Sequence, residues 1–531
     1  MSADRGSGNG ATGCPPLVVG LVMAAAFLSF LPALRNGFVA WDDRMNLLYN
    51  PDFRGLDWRH IRWMFTTTFA GPYQPLCWLT FAADYRLWGL DPTGYHLTNL
   101  VLHTVNAGLF CVLAIRLLDR AVPSAAGGDR RRLCLAAGFA ALLFAVHPLR
   151  VESVAWATER KDVLSGLFTL LTVWCYLRMC AAVARARRWY LLCLGTYLLA
   201  LLSKGSAVSL PASLVVLDLY PLQRLPGSPR DWALPAYRRI WLEKVPFLLL
   251  ALAFGVIGFR GLSSIGDVPP WTLGDFARML GTSAYASVFY LSKSLLPVGL
   301  SPLYESTPPL DAQAWPFVLA AAVVALLSGA LWRLRGRWPA GLAAWAHYLA
   351  TLVPTFGASR YGNHIAADRY TYLSCLGGPL LIGAGWYLWA RRSDACAGWR
   401  RAWPSLALGL VVWALAAATW RQTGIWHDSK SLWSHAVSVD PGGRIARMKL
   451  SRAIASDGNP NPTIMHFAGL VRRRPDDATL RVHLGLALAG DGRRGEAIVQ
   501  FREALRCDPR QPVAQNLLGK LLAEPRPGPR P

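Results

Sequence analysis

Charge is what this chain has least of. Only 16% of its 531 residues are Asp, Glu, Lys or Arg, well below the roughly one quarter usual in soluble domains. Acid is scarcer than base, 31 residues against 55. Ten cysteines are present, but none has metal-ligand spacing. Cys175 and Cys180 stand five apart and make no CxxC pair. They lie, with Cys111, Cys134 and Cys193, inside apolar runs and read as small packing residues. There is no phosphate-binding glycine loop, zinc spacing, haem motif or Ser-His-Asp elbow. Nothing therefore points to direct use of a cytosolic nucleotide.

What fills the chain instead is apolar: 53% of its residues are hydrophobic. Leu17 to Leu34 is an uncharged run of 18 residues, and comparable runs cover 97–117, 132–149, 163–182, 189–203, 206–222, 245–259, 314–332, 340–357, 370–390 and 402–420. Each is near the ~20 residues a helix needs to cross ~30 Å of hydrocarbon. The pattern implies a polytopic membrane protein with a retained first helix, since no small-residue cleavage site follows the first run. A net charge of +24 could suggest nucleic acid, but the arginines cluster in short loops between runs: Arg130 to Arg132, Arg185 to Arg188, Arg224 to Lys244, Arg333 to Arg337 and Arg391 to Arg401. Such clusters mark the cytoplasmic side, with anionic headgroups as a further reading. Counting from them gives 11 spans. The N-terminus is inside, the segments 35–96, 150–162, 203–205, 260–313 and 358–369 are outside, and so is everything beyond Trp420. Residues 276–296 are also apolar, but a crossing there would put Arg333 to Arg337 outside; they read as an interfacial or re-entrant helix.

The last hundred residues change character. Amphipathic stretches alternate with Pro-Asp punctuation, and Pro441, Pro475 and Pro509 are each 34 residues apart, the period of tetratricopeptide (TPR) repeats. Leu484–Gly485, Ala489, Ala497, Phe501 and Ala504 fall where that pattern wants small and large packing residues. The expected organisation is a cytoplasmic tail at 1–14, a membrane domain at 15–425 with a large first outer loop at 35–96, a short TPR array at 426–523 and a disordered tail at 524–531. The fold class is all-α: a polytopic membrane helical bundle with a C-terminal TPR α-solenoid.

Polar residues beside a membrane must justify their desolvation, and five groups stand out, all on the outer side. Asp42 and Asp43 sit side by side just after the first run. They read either as a solvated or capping turn, or as a general base with a second carboxylate that tunes it or holds a cation. The stretch from Tyr73 through Asp84 to His96 interleaves aromatic rings with polar groups, which suits an interfacial aromatic belt or sugar and prenyl recognition. In 147–166, Arg150, Glu152, Glu159, Arg160, Lys161 and Asp162 have balanced signs. They fit an ion-paired re-entrant loop, or a phosphate site at Arg160 and Lys161. Lys204 caps a tight turn, either snorkelling or touching a phosphate. Asp368 and Arg369 precede a span, as an interface anchor or as a guanidinium for a leaving lipid phosphate.

The stretches "FVAWDDRMNLLYNPDFRGLDWRHIRWMF", "YQPLCWLTFAADYRLWGLDPTGYHLTNLVLHTVNA", "LLFAVHPLRVESVAWATERKDVLSG", "LLSKGSAVSLPASLVVLDLYPL", "EKVPFLLLALA", "YLSKSLLPVGLSPLY" and "ADRYTYL" resemble the membrane region of the transmembrane-and-TPR (TMTC-like) proteins, relatives of the protein O-mannosyltransferases in the GT-C class. "WHDSKSLWSHAV" resembles their junction into the repeats. The resemblance implies an inverting GT-C glycosyltransferase that takes a sugar, typically mannose, from a polyprenyl-phosphate carrier. Its acidic pair maps onto Asp42 and Asp43, the catalytic candidates. Arg160, Lys161, Lys204 and Arg369 are assigned to the donor phosphate from their positions, and Tyr73, Asp84, His96, Glu152 and Asp368 are substrate-site candidates. No cofactor is implied beyond a divalent cation at Asp42 and Asp43, if there is one. The expected partners are membrane lipid, the lipid-linked sugar and a polypeptide held by the TPR array, with no nucleic acid. With 48 Arg to 7 Lys, the chain fits a GC-rich bacterium, hence an inner membrane and periplasm. The rival expectation is a non-catalytic membrane-anchored TPR scaffold.

Overall fold

The computed structural model describes residues 16–122, 127–182, 185–263, 272–305, 314–356, 364–392, 399–456, 462–491 and 493–523. The two expected terminal tails lie outside these. The chain divides into two compact units, one of Met1–Gly37 with Asp52–His427 and the other of Phe38–Pro51 with Asp428–Pro531.

In the first unit, acidic caps and prolines start the helices. The Asp91 carboxylate accepts the Thr93 N–H at 2.9 Å, and Pro92 follows it as the first residue of the 30-residue helix Pro92–Ala121. A proline there gives up no hydrogen bond the helix could have made. Among the described residues, six helices are long and apolar enough to cross a membrane: Pro16–Arg35, Pro92–Ala121, Ala157–Ala181, Pro235–Gly261, Trp315–Arg333 and Ala402–Ile425. Two bent pairs add to them, Arg130–Ala145 with Pro148–Ala155 at 55° and Asp368–Ser374 with Gly377–Arg392 at 51°. The total of six to eight is fewer than the 11 expected. The other three apolar runs fall on Ala186–Ser203, whose first turn carries two arginines, on the short helix Gly205–Leu219, and on Pro339–Leu352, which has only 14 residues before the turn at Val353–Thr355. The apolar stretch 276–296 is one helix, Leu273–Leu295, opened by a reciprocal Thr272–Asp275 capping box. Large apolar side chains such as Leu252, Leu326, Leu406 and Trp413 face outward. In water such a surface would be an aggregation liability; against lipid it is the expected one.

Two features bring polar groups inside. At His147–Pro148 the helix cannot continue, the imidazole Nδ1 accepts the Leu149 N–H at 3.2 Å, and residues 148–159 continue at a bend of 55° as short buried helical pieces. A two-residue bridge, Tyr304–Glu305 with His364–Ala366, fixes the approach to Asp368. The exits of the first and last spans meet: the Gly37 N–H donates to the His427 carbonyl at 2.8 Å, and Asn36 Nδ2 to the Thr423 carbonyl at 3.1 Å. Elsewhere, Asp218 is wholly buried and joins three helices. It accepts the Tyr176 hydroxyl on both oxygens at 2.7 Å, Arg224 at 3.0 Å and Lys244 at 2.6 Å.

Among the described residues from Asp428 onward, the second unit has six short helices, Ser429–Val439, Arg444–Ser456, Pro462–Arg473, Ala478–Gly490, Arg494–Cys507 and Pro512–Ala523, with a core that includes Ile464, Phe467, Leu484, Ala497, Phe501 and Ala504. A Cβ on Gly485 would stand 2.7 Å from the Phe501 ring, so the ring packs where only glycine leaves room. Phe38–Pro51 folds into this unit rather than the membrane unit. Met45 packs on its core, Ala40 N–H donates to Ser429 Oγ at 2.7 Å, and the Trp41 and Trp433 rings lie 5.1 Å apart.

Candidate active site

The segment 148–162 carries six charged side chains, three of each sign, and the fold brings further charged groups to it. Glu159 lies within 3.1 Å of both Lys161 and Lys204 and 3.9 Å from Arg369. Asp162 pairs with Lys204 and accepts the Ser153 hydroxyl at 2.9 Å. Glu152 accepts the Arg369 backbone N–H at 2.8 Å and pairs with its guanidinium. Arg160 meets Asp84 at 2.5 Å, donates to Asn99 Oδ1 and the Tyr95 carbonyl at 2.8 Å each, and lies over the Phe81 ring. Asp368 is buried and accepts the Tyr304 hydroxyl at 2.9 Å. Arg150 donates to the Thr371 carbonyl and hydroxyl at 2.7 and 2.8 Å.

Five cations, Arg150, Arg160, Lys161, Lys204 and Arg369, thus share one region with five carboxylates, Asp84, Glu152, Glu159, Asp162 and Asp368. Buried charge persists only when paired in this way. Burial works against the Lys204 ammonium, but Asp162 and Glu159 outweigh it and hold its pKa above the ordinary lysine value. Burial and the Asp368 charge push the Tyr304 phenol well up, so it remains a donor. The cations differ in access. The Arg160 side chain is 0% exposed. Lys161 and Lys204 keep 16% of their side-chain surface and Arg369 keeps 13%.

Two candidates stand apart from this network. The Tyr73 hydroxyl donates to the Phe65 carbonyl at 3.0 Å, and burial raises its pKa. His96 is buried in Pro92–Ala121 one turn before Asn99, without an ion pair to the cluster.

Asp42 and Asp43 lie in the second unit, and their environments differ. Asp43 is fully buried; its Oδ2 accepts the Val39 N–H at 2.9 Å and closes the turn. Asp42 is partly exposed, its backbone carbonyl starts the turn by accepting the Asn46 N–H at 2.8 Å, and its charge bears on Lys449. Among the described residues no three His, Cys, Asp or Glu side chains converge to hold a metal ion. With Asp43 committed to the backbone, the pair by itself is a poor cation cage. Sequence reasoning missed Tyr304, Trp433 and Lys449. Tyr304 ends the stretch "YLSKSLLPVGLSPLY" and Trp433 lies in "WHDSKSLWSHAV", which were the available signals; Lys449 had none.

Three curated proteins are similar to this chain in sequence. A protein O-mannosyl-transferase tmtc2 of Xenopus laevis is 32% identical over 216 residues, 39% of this chain and 24% of its own length. Protein O-mannosyl-transferase TMTC1 of Homo sapiens is 26% identical over 535 residues, covering 90% of this chain and 57% of its own. Tmtc1 of Drosophila melanogaster is 26% identical over 515 residues, 79% and 57% respectively. The chain is similar to the TMTC O-mannosyltransferases. It matches between about a quarter and somewhat over half of the length of these relatives. No protein-family profile matches it. Among solved structures, ArnT from Cupriavidus metallidurans bound to undecaprenyl phosphate aligns over 96% of this chain and 76% of its own at 16% identity. Its TM-score of 0.38 is too low to argue from.

Proposed function

We propose that the chain is an inverting GT-C-type glycosyltransferase of a bacterial inner membrane. It moves a sugar, mannose, from a polyprenyl-phosphate carrier to a hydroxyl of a protein or glycan at the periplasmic face. The observation that carries this reading is similarity to O-mannosyltransferases along most of the chain, 79% in one relative and 90% in another. In the reaction the acceptor oxygen bonds to the anomeric carbon as the bond to the carrier phosphate breaks, and the electron pair leaves on the phosphate. A carboxylate takes the acceptor's proton. Asp42 suits that part better than Asp43, whose oxygen already holds Val39. Lys161, Lys204 and Arg369, the cations with accessible edges, suit the departing phosphate, whereas Arg160 suits holding Asp84 and Asn99 in place. The membrane domain crosses 11 times, and the carboxy-terminal helices form a short TPR array that presents a polypeptide acceptor.

The test is mass spectrometry of periplasmic glycoproteins in a deletion strain. Hexose-modified peptides should vanish, return with the wild-type gene, and stay absent with Asp42→Asn at equal membrane abundance. Full return with both Asp42→Asn and Asp43→Asn would sink the enzyme reading. One observation favours the rival scaffold: every cation of the cluster already meets a carboxylate or backbone partner. The scaffold stands if those two variants work in cells while removal of residues 441–531 abolishes function.

A further inference from the structure

Lys449 lies in the middle of the helix Arg444–Ser456 and is half-buried. Its ammonium stands 5.8 Å from the centroid of the Trp433 ring, which is itself fully buried. The ring of Trp41 lies 5.1 Å from the same indole, while Ser429 Oγ accepts the Ala40 N–H at 2.7 Å. Ala40 and Trp41 are thereby fixed to the helix Ser429–Val439, and Asp42 is the next residue. The charges bearing on Lys449 are Asp42, which attracts it, and Arg44 and Arg452, which oppose it. A lysine pressed into partial burial beside two arginines is held there by its carboxylate and its ring. Burial lowers its pKa while Asp42 works against that fall.

We propose that Lys449, seated on Trp433, is the positioning residue of Asp42, so that the carboxy-terminal helices hold the base in place as well as serving the acceptor. The inference rests on Asp42 being that base. A cation seated on the indole that also takes Trp41 limits the orientations open to the next residue, which is what a proton acceptor needs before the acceptor hydroxyl arrives.

The experiment uses the full-length chain reconstituted in liposomes. Its probes are radiolabelled polyprenyl-phosphate mannose as donor and periplasmic protein from the deletion strain as acceptor. Lys449→Met should lower kcat at least tenfold, less than the roughly 10²–10⁴-fold a general base is worth. KM for the donor should stay unchanged, and the acid limb of the rate–pH profile should move to higher pH. Lys449→Arg should restore both rate and profile. A merely structural lysine would lower the amount of folded enzyme without moving the acid limb. Lys449→Met with wild-type rate, or with a lower rate and an unmoved acid limb, overturns the proposal while Asp42→Asn remains inactive. An active Asp42→Asn overturns the base assignment beneath it. If Lys449→Met does not fold, Lys449→Gln and the Lys449→Arg profile decide by the same criteria.

Discussion

Glu152 receives Arg369 twice, through the backbone N–H and through the guanidinium, and both side chains are largely enclosed. Removing the charge of one partner leaves the other buried beside Glu159 alone. Breaking such a pair from one side costs about 3–5 kcal/mol. Glu152→Gln is therefore expected to lower the detergent melting temperature clearly, and Arg369→Gln to do the same. The double variant should be less destabilised than the two single losses added together, a coupling read by a double-mutant cycle. His364 adds a pH dependence at the same scale. Burial, and then the nearby Arg369 charge, push its pKa down from 6.5 to about 4. The unfolded chain therefore binds a proton that the folded chain refuses between those values, and stability falls as the pH drops from 6.5 towards 4. His364→Gln should flatten melting temperature against pH in that window and leave it unchanged above pH 7.

Between helices, the Asp218 network is the clearest joint. Its carboxylate and the Lys244 ammonium are 0% and 2% exposed, and they tie Leu210–Leu219 to Arg238–Ser263, with Tyr176 bringing in Arg160–Ala181. Asp218→Ala leaves a buried lysine without its partner, at a cost of about 3–5 kcal/mol. The expected outcome is loss of the monodisperse peak in size-exclusion chromatography, partly recovered by adding Lys244→Met. None of this joint was visible in the chain, because Asp218 is hidden inside the apolar run 206–222 and Lys244 reads as one more cytoplasmic cation. What the sequence did carry was local. Gly485 and Phe501 were picked out by spacing alone, and the ring does lie against the glycine. The alternating charges of 147–166 were read as ion-paired or phosphate-binding, and their cations do meet carboxylates. The partners could not be foreseen, since Asp84, Lys204 and Arg369 are brought there by tertiary packing from 42 to 217 residues away in the chain. The number of spans was the weakest reading, because hydropathy cannot tell a straight helix from one broken at Pro148 or Pro354.

For the molecule as a whole, the bond from Gly37 to His427 sets a parity. The first candidate span ends beside the point where the last one ends; if both cross, both ends open on one face and the total number of crossings is odd. Six straight helices and two bent pairs cannot all cross as eight. Either one bent pair re-enters on its own side or at least one further helix passes through. Cysteines introduced at the exposed positions Arg35 and His427 should react with a membrane-impermeant maleimide from the same side in sealed vesicles. Labelling from opposite sides would refute the pairing of these two exits.

The turn that carries Asp42 is completed by a partner 389 residues away in the chain, Ala40 on Ser429. A ribosome adding about 5–20 residues per second needs roughly 20–80 s to make the intervening chain. During that time the first loop has emerged but lacks the indole, the hydroxyl and the ammonium that later hold it. A chain cut short before Ser429, whether by a failed ribosome or a protease, therefore leaves Ala40 and Trp41 without the hydroxyl and the indole that hold them.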